Sequence, residues 1–109
     1  MTANDTRRDA LIRVIEALHQ EIAALKTNDI AALERATQDK LRGIETVAAF
    51  GTAPADADIR ELAEEANRLN ETSRIYVNLM AANVRRRLQS LTGDAGAGYR
   101  ASGARAAYA

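Results

Sequence analysis

Few side chains in this sequence are equipped to do chemistry. The single histidine is His19. An exposed imidazole on a helical bundle suits phosphoryl transfer, but such domains place lysine three residues further on, with glycine beside it. Here those positions hold Ile22 and Ala23, and Lys26 stands seven away. His19 therefore reads as a flank or surface residue, and a histidine phosphotransfer bundle is the least favoured function. The run Arg85-Arg86-Arg87 raises nucleic acid as a partner. Three consecutive helical residues sweep about 200° around the axis, so they form no stripe along a phosphate backbone. With Asp56, Asp58, Glu61, Glu64 and Glu65 upstream, the arginines match the polarity of a helix dipole, and they also suit the rim of a protein-binding surface. No stacking platform or recognition motif accompanies them, so nucleic acid is not expected. Glu61 and Glu65, at helical spacing, mark a solvated face rather than a metal site. The chain has no cysteine, which excludes thiol catalysis and cysteine-ligated zinc. No phosphate loop, nucleophile motif or dinucleotide fingerprint occurs. The expectation is a protein that is not an enzyme and carries no cofactor or metal.

Any site must then be a surface, and composition says what presents it. Of 109 residues, 24 are alanine and only 22 are Leu, Ile, Val or Phe; there is one proline and no tryptophan. That mixture favours helices over strands, and the length gives one domain with a modest core. Fifteen basic residues balance fifteen acidic ones, which removes an overall electrostatic case for nucleic acid or an anionic membrane. No apolar run approaches the roughly 18 residues of a membrane span. Met1-Thr2-Ala3-Asn4-Asp5 shows no signal-peptide pattern, so the expected compartment is the cytoplasm.

The predicted architecture is all-α: an antiparallel three-helix bundle or coiled coil over residues 1–92, with helices at about 7–26, 30–50 and 56–91, then a flexible Gly/Ala-rich tail at 93–109. Thr6-Arg7-Arg8-Asp9 resembles a capping box, and Leu11, Ile15, Leu18, Ile22 and Leu25 follow at heptad spacing. Thr27-Asn28-Asp29 breaks the seam, and Asp29 is the expected N-cap of the second helix. The second helix has a thinner stripe: Leu33, Ala36 or Thr37, Leu41, Ile44 and Val47/Ala48, interrupted by Gly43. Close packing of a neighbouring backbone or drift on an exposed face would each account for that glycine. Gly51 is a plausible left-handed C-cap before Pro54. In the third helix Asp58-Ile59-Arg60-Glu61 is another capping-box candidate, and Pro54 or Asp56 would move the start earlier. The expected core is Leu11, Ile15, Leu18, Ile22, Leu33, Ile44, Ile59, Leu62, Leu69 and Tyr76.

Several pieces, in order, resemble the FlgN family of flagellar type III export chaperones. They are Leu25-Lys26-Thr27-Asn28-Asp29-Ile30-Ala31-Ala32-Leu33 with Lys40-Leu41, Asn67-Arg68-Leu69-Asn70, Leu88-Gln89-Ser90-Leu91-Thr92-Gly93 and Tyr99-Arg100-Ala101-Ser102-Gly103. The chain departs from the family pattern in its shortness, its alanine content and Arg74, which stands where an apolar residue is expected. The resemblance implies a cytoplasmic chaperone that binds flagellar hook-associated (junction) proteins as clients and delivers them to the export gate. Tyr99 and Gly103 would then be the export-gate contact. A generic coiled-coil adaptor or oligomerisation module is the alternative. Asn67 and Asn70 read first as residues that fix register inside a bundle.

The helix lengths locate a client site. A second helix of about 30 Å runs out before a third of about 50 Å, leaving roughly Met80 through Leu91 to project. Met80, Val84, Leu88 and Leu91, rimmed by Arg85, Arg86 and Arg87, are the expected client-binding residues. The same apolar surface makes a homodimer a further expectation.

Overall fold

The computed structural model describes the backbone of residues 3–99 and the side-chain surroundings of residues 4–92. Three helices follow one another: α1 (Ala3–Thr27), α2 (Ile30–Ala48) and α3 (Ala57–Tyr99). There is no strand among the described residues. The chain divides into two units, residues 1–77 and 78–109. The first holds α1, α2 and the opening five turns of α3.

The turn between α1 and α2 is built as its residues dictate. Asn28 takes a left-handed conformation, with φ +56°, which asparagine tolerates better than most residues. The Asp29 N–H then donates to the Ala24 carbonyl at 2.9 Å and the Asn28 N–H to that of Leu25 at 3.4 Å, closing α1. The Asp29 carboxylate accepts from the Ala32 N–H at 3.0 Å and caps α2, as expected.

Three expected helix boundaries move. α1 begins at Ala3 rather than near residue 7, which places Thr6 inside the helix instead of at its cap. The first turns are tied down from outside: Asn4 Nδ2 donates to Asp56 Oδ2 at 3.2 Å and Arg8 Nε to Asp58 Oδ2 at 2.7 Å. Tertiary bonds of this kind override a local start signal. α2 ends at Ala48 rather than Phe50, and Gly51 turns the chain at φ +58°. α3 continues to Tyr99, eight residues beyond Leu91 and into the segment expected to be tail. A helical glycine costs about 1 kcal/mol relative to alanine but does not terminate a helix unless the chain turns left-handed there. Ala95 and Ala97 alternate with Gly96 and Gly98 in that stretch.

Cross-helix partners define the topology of the first unit. Glu21 meets Thr37 and Val14 meets Gly43, so α1 and α2 run antiparallel. Arg8 meets Asp58, Glu21 meets Ser73, and Lys26 lies over the Tyr76 ring at 5.4 Å. α3 therefore runs parallel to α1 at an offset of about fifty residues. The result is an up-down-up bundle with α1 as its most enclosed helix. Two adjacent heptad rows of α1 are buried. One is Leu11, Leu18, Ile22 and Leu25; the other is Ala10, Val14, Ala17, Glu21 and Ala24. Ile59 and Ala66 of α3 are buried as well, with Ile15 and Leu69 packed against Val14, Leu18 and Ala66. Leu33, Leu62 and Tyr76 are half-buried.

Ile44, expected in the core, is 44% exposed. The physical reason is the residue pair that α2 uses against α1. Its buried positions are Ala36 and Gly43; at 100° per residue Ile44 lies about a quarter-turn from them and Leu41 nearer half a turn. Gly43 resolves in favour of close packing: a Cβ built there would stand 2.5 Å from Val14 Cγ2 and 3.3 Å from the Ala10 carbonyl oxygen. Small residues let the two helices approach, and the price is that α2 turns its larger side chains away from α1.

Gly43→Ala should therefore destabilise the bundle by about 1–2 kcal/mol, because the clash with a stiff β-branched side chain outweighs the gain in helix propensity. In a Val14→Ala background the same change should become neutral or stabilising. Urea unfolding of the four proteins of this cycle measures the reversal.

Candidate functional site

Three clusters of side chains carry most of what the molecule could do. The first is a buried polar centre that joins all three helices. Glu21 is only 3% exposed. Its carboxylate accepts from Ser73 Oγ at 2.5 Å, from Thr37 Oγ1 at 2.8 Å and from Lys40 Nζ at 3.2 Å. Lys40 Nζ also donates to Asn70 Oδ1 at 3.3 Å. Burial alone would push the Glu21 carboxyl upward. The Ser73, Thr37 and Lys40 hydrogen bonds and the Lys40 charge outweigh it, and the group is held below its ordinary value. The acid is thus ionised and satisfied, with its four lone-pair sites largely occupied by fixed donors. That leaves it a poor proton donor and a good structural pin. Asn70, read as a register residue inside the bundle, is exposed and touches this centre only through Lys40. Asn67 is exposed on the groove described below.

The second cluster clasps the opposite end of the bundle. Arg8 bridges Asp5 at 2.8 Å and Asp58 at 2.7 Å. The Asp58 bond first, then the Asp5 bond, raises the Arg8 guanidinium pKa, and the Arg8 bond holds Asp58 below the usual carboxylate range. Arg7 lies over Phe50 at 5.5 Å and donates to the carbonyls of Ala53 and Pro54 at 3.1 and 3.2 Å. These contacts fix the α2–α3 connection against α1.

The third comprises exposed apolar surfaces, among them one in each unit. In the second unit Val84 and Leu88 are about half exposed and Leu91 is 81% exposed, while Met80 is half-buried. Spacings of 4, 4 and 3 keep the four on one face. At 100° per residue Arg85 and Arg87 flank that face on its two sides, whereas Arg86 falls on the far side of the helix. All three arginines are exposed, and only two of the three can rim the stripe. Ile75, Val77 and Leu79 are exposed too.

The second apolar surface lies wholly in the first unit. Ile30, Leu41 and Ile44 of α2 are each about half exposed. Beside them a groove of about 270 Å³ runs between α2 and α3, floored by Leu11, Val14 and Leu18 and walled by Ile44, Val47 and Ala66. The apolar stripe of α2 did not point to it, because Ala36, which is buried, was read as part of the same stripe as Ile44.

His19 is exposed beside Leu18. No group of three or more metal-ligating side chains comes together among the described residues, and none of the helices among them is long and apolar enough to cross a membrane. The Tyr99 side chain and Gly103 lie outside the described residues, so the structure places neither. Compared with models of known protein families, with curated proteins and with solved structures, the chain matches none.

Proposed function

We propose that this chain is a non-catalytic binding protein that holds an amphipathic helix of a protein client on the Met80, Val84, Leu88 and Leu91 face. The particular form we propose is the one that the FlgN resemblance implies: a cytoplasmic chaperone for flagellar hook-associated proteins, delivering them to the export gate. The observation that carries the reading is the exposure of Val84, Leu88 and Leu91 on one helical face. A helix turning its aliphatic side chains to water is a ready receptor for another helix's apolar face, recognised at i, i+4, i+7 spacing. Arg85 and Arg87 on either edge would select a client helix with acidic flanks. Tyr99 and Gly103 would engage the export gate, a role supported by the resemblance alone.

A generic oligomerisation module is the second reading, favoured by the exposed α2 surface. The two are separated by pull-down from flagellated cells. The full chain should retain hook-associated proteins, and Val84→Asp/Leu88→Asp should lose them while its circular dichroism stays unchanged. Tyr99→Ala should keep the client and impair motility. Normal client capture by the double aspartate variant would sink the site assignment.

A further inference from the structure

The charge of this chain is neutral only as a sum. Residues 1–77 contain fourteen acidic and ten basic side chains, and residues 78–109 contain one acidic and five basic. The first unit therefore carries net −4 and the second net +4. Between Glu71 and Asp94 the sequence has no acidic residue, so Arg85, Arg86 and Arg87 have no carboxylate within one helical turn along their own helix. Such a segment lacks the local pairing seen at Arg42–Asp39 and Arg74–Glu71.

The acidic unit has a face that matches it. Along α2 the exposed side chains of Ile30, Leu41 and Ile44 span about 21 Å, and Met80 to Leu91 spans about 17 Å. Glu34 and Glu45 stand four positions beyond Ile30 and Leu41, on the same edge of α2, and both are exposed. Apolar row meets apolar row, and the acidic edge meets the arginine flanks.

We infer that a second copy of this chain occupies the α2 groove, its Asn78–Thr92 helix lying over Leu41 and Ile44 with Arg85 and Arg87 toward Glu34 and Glu45. Exchange is reciprocal, so each copy supplies one basic helix and one apolar groove, whose lining includes Lys40, bordered by the acidic edge of α2, as a closed two-fold pair requires. The fourth helix covers the apolar groove beside Ile44 and Val47. This inference stands without the client reading. Since it uses the same stripe, client and second copy exclude one another where both bind.

Sedimentation of the full chain at high micromolar concentration and low salt tests it. The chain should be a dimer, and added salt should weaken it. Leu41→Asp/Ile44→Asp and Val84→Asp/Leu88→Asp should each weaken association by about tenfold or more, with helical content unchanged because all four side chains are exposed. The decisive arm is a charge exchange. Arg85→Glu/Arg87→Glu alone and Glu34→Arg/Glu45→Arg alone should each be monomeric, and their equimolar mixture should dimerise, because only the mixed pair matches at both contacts. A monomeric full chain, or a mixture no more associated than its components, overturns the proposal. A dimer that passes the exchange but binds no hook-associated protein removes the client reading and leaves this one intact.

Discussion

Leu18→Asp is expected to unfold the first unit or come close to it. Leu18 is 1% exposed and packs with Val14, Ala66, Ile15 and Leu69, so an aspartate there loses its hydration and gains no partner. The loss should reach about 4 kcal/mol or more, a large share of the stability of a domain this small. Ile44→Asp provides the contrast, since Ile44 sits on the same groove but is 44% exposed. It should cost less than about 1 kcal/mol in the monomer. Thermal and urea melts followed by circular dichroism measure both. Equal losses at the two positions would mean that the groove is closed and that α2 packs through its aliphatic stripe after all.

Glu21→Ala should be the most damaging polar substitution, at about 2–4 kcal/mol. It removes a buried carboxylate and strands the Ser73 and Thr37 hydroxyls and the Lys40 ammonium that converge on it. A triple change of Glu21→Leu, Thr37→Val and Ser73→Ala removes the acceptor and both hydroxyl donors, leaves Lys40 its bond to Asn70, and should recover most of the loss. The same centre sets an acid limit. Since the folded Glu21 pKa is depressed, its contribution is complete above the ordinary glutamate range. It is lost as pH falls through the folded value. Stability of the native chain should therefore decline as pH falls through and below the ordinary glutamate range, and more steeply than that of the triple variant. Urea midpoints across that range give both slopes; identical slopes would assign the acid sensitivity to surface pairs such as Arg8–Asp58.

The heptad seam of α1, the Asp29 cap, the Gly51 turn and the helical class were legible because each rests on short-range chemistry. Apolar spacing, a carboxylate that caps an N–H and a glycine that tolerates positive φ act within a few residues. The buried row Ala10, Ala17, Glu21 and Ala24 was not legible. Alanine is common on every face of this chain, and glutamate reads as surface until its partners are known. One of those partners, Thr37, did fall on a predicted apolar stripe as the alternative to Ala36, and a hydroxyl at a seam position is a signal that a buried acid lies opposite. Ile44 failed for a related reason. Apolar spacing identifies a helix's apolar side, but α2 packs on α1 through its smallest residues, and closeness rather than hydrophobicity chose the contact. Val84, Leu88 and Leu91 are exposed, and Arg86 falls on the far side of the helix from them.

The two hydroxyls that close on Glu21 also set an order of assembly. Thr37 reaches the carboxylate across 16 residues of chain and Ser73 across 52. Closing the longer loop costs about 1 kcal/mol more in chain entropy, so the α1–α2 hairpin is favoured to form first, with its capped two-residue turn as a ready nucleus. At that stage the carboxylate has Thr37 and Lys40 but lacks its third donor, and the apolar row of α1 lies uncovered. Arrival of α3 supplies the Ser73 hydroxyl and the Ile59 and Ala66 side chains in one step. The α1–α2 hairpin therefore lacks both a hydrogen-bond donor and an apolar cover until the first part of α3, through Ser73, is in place.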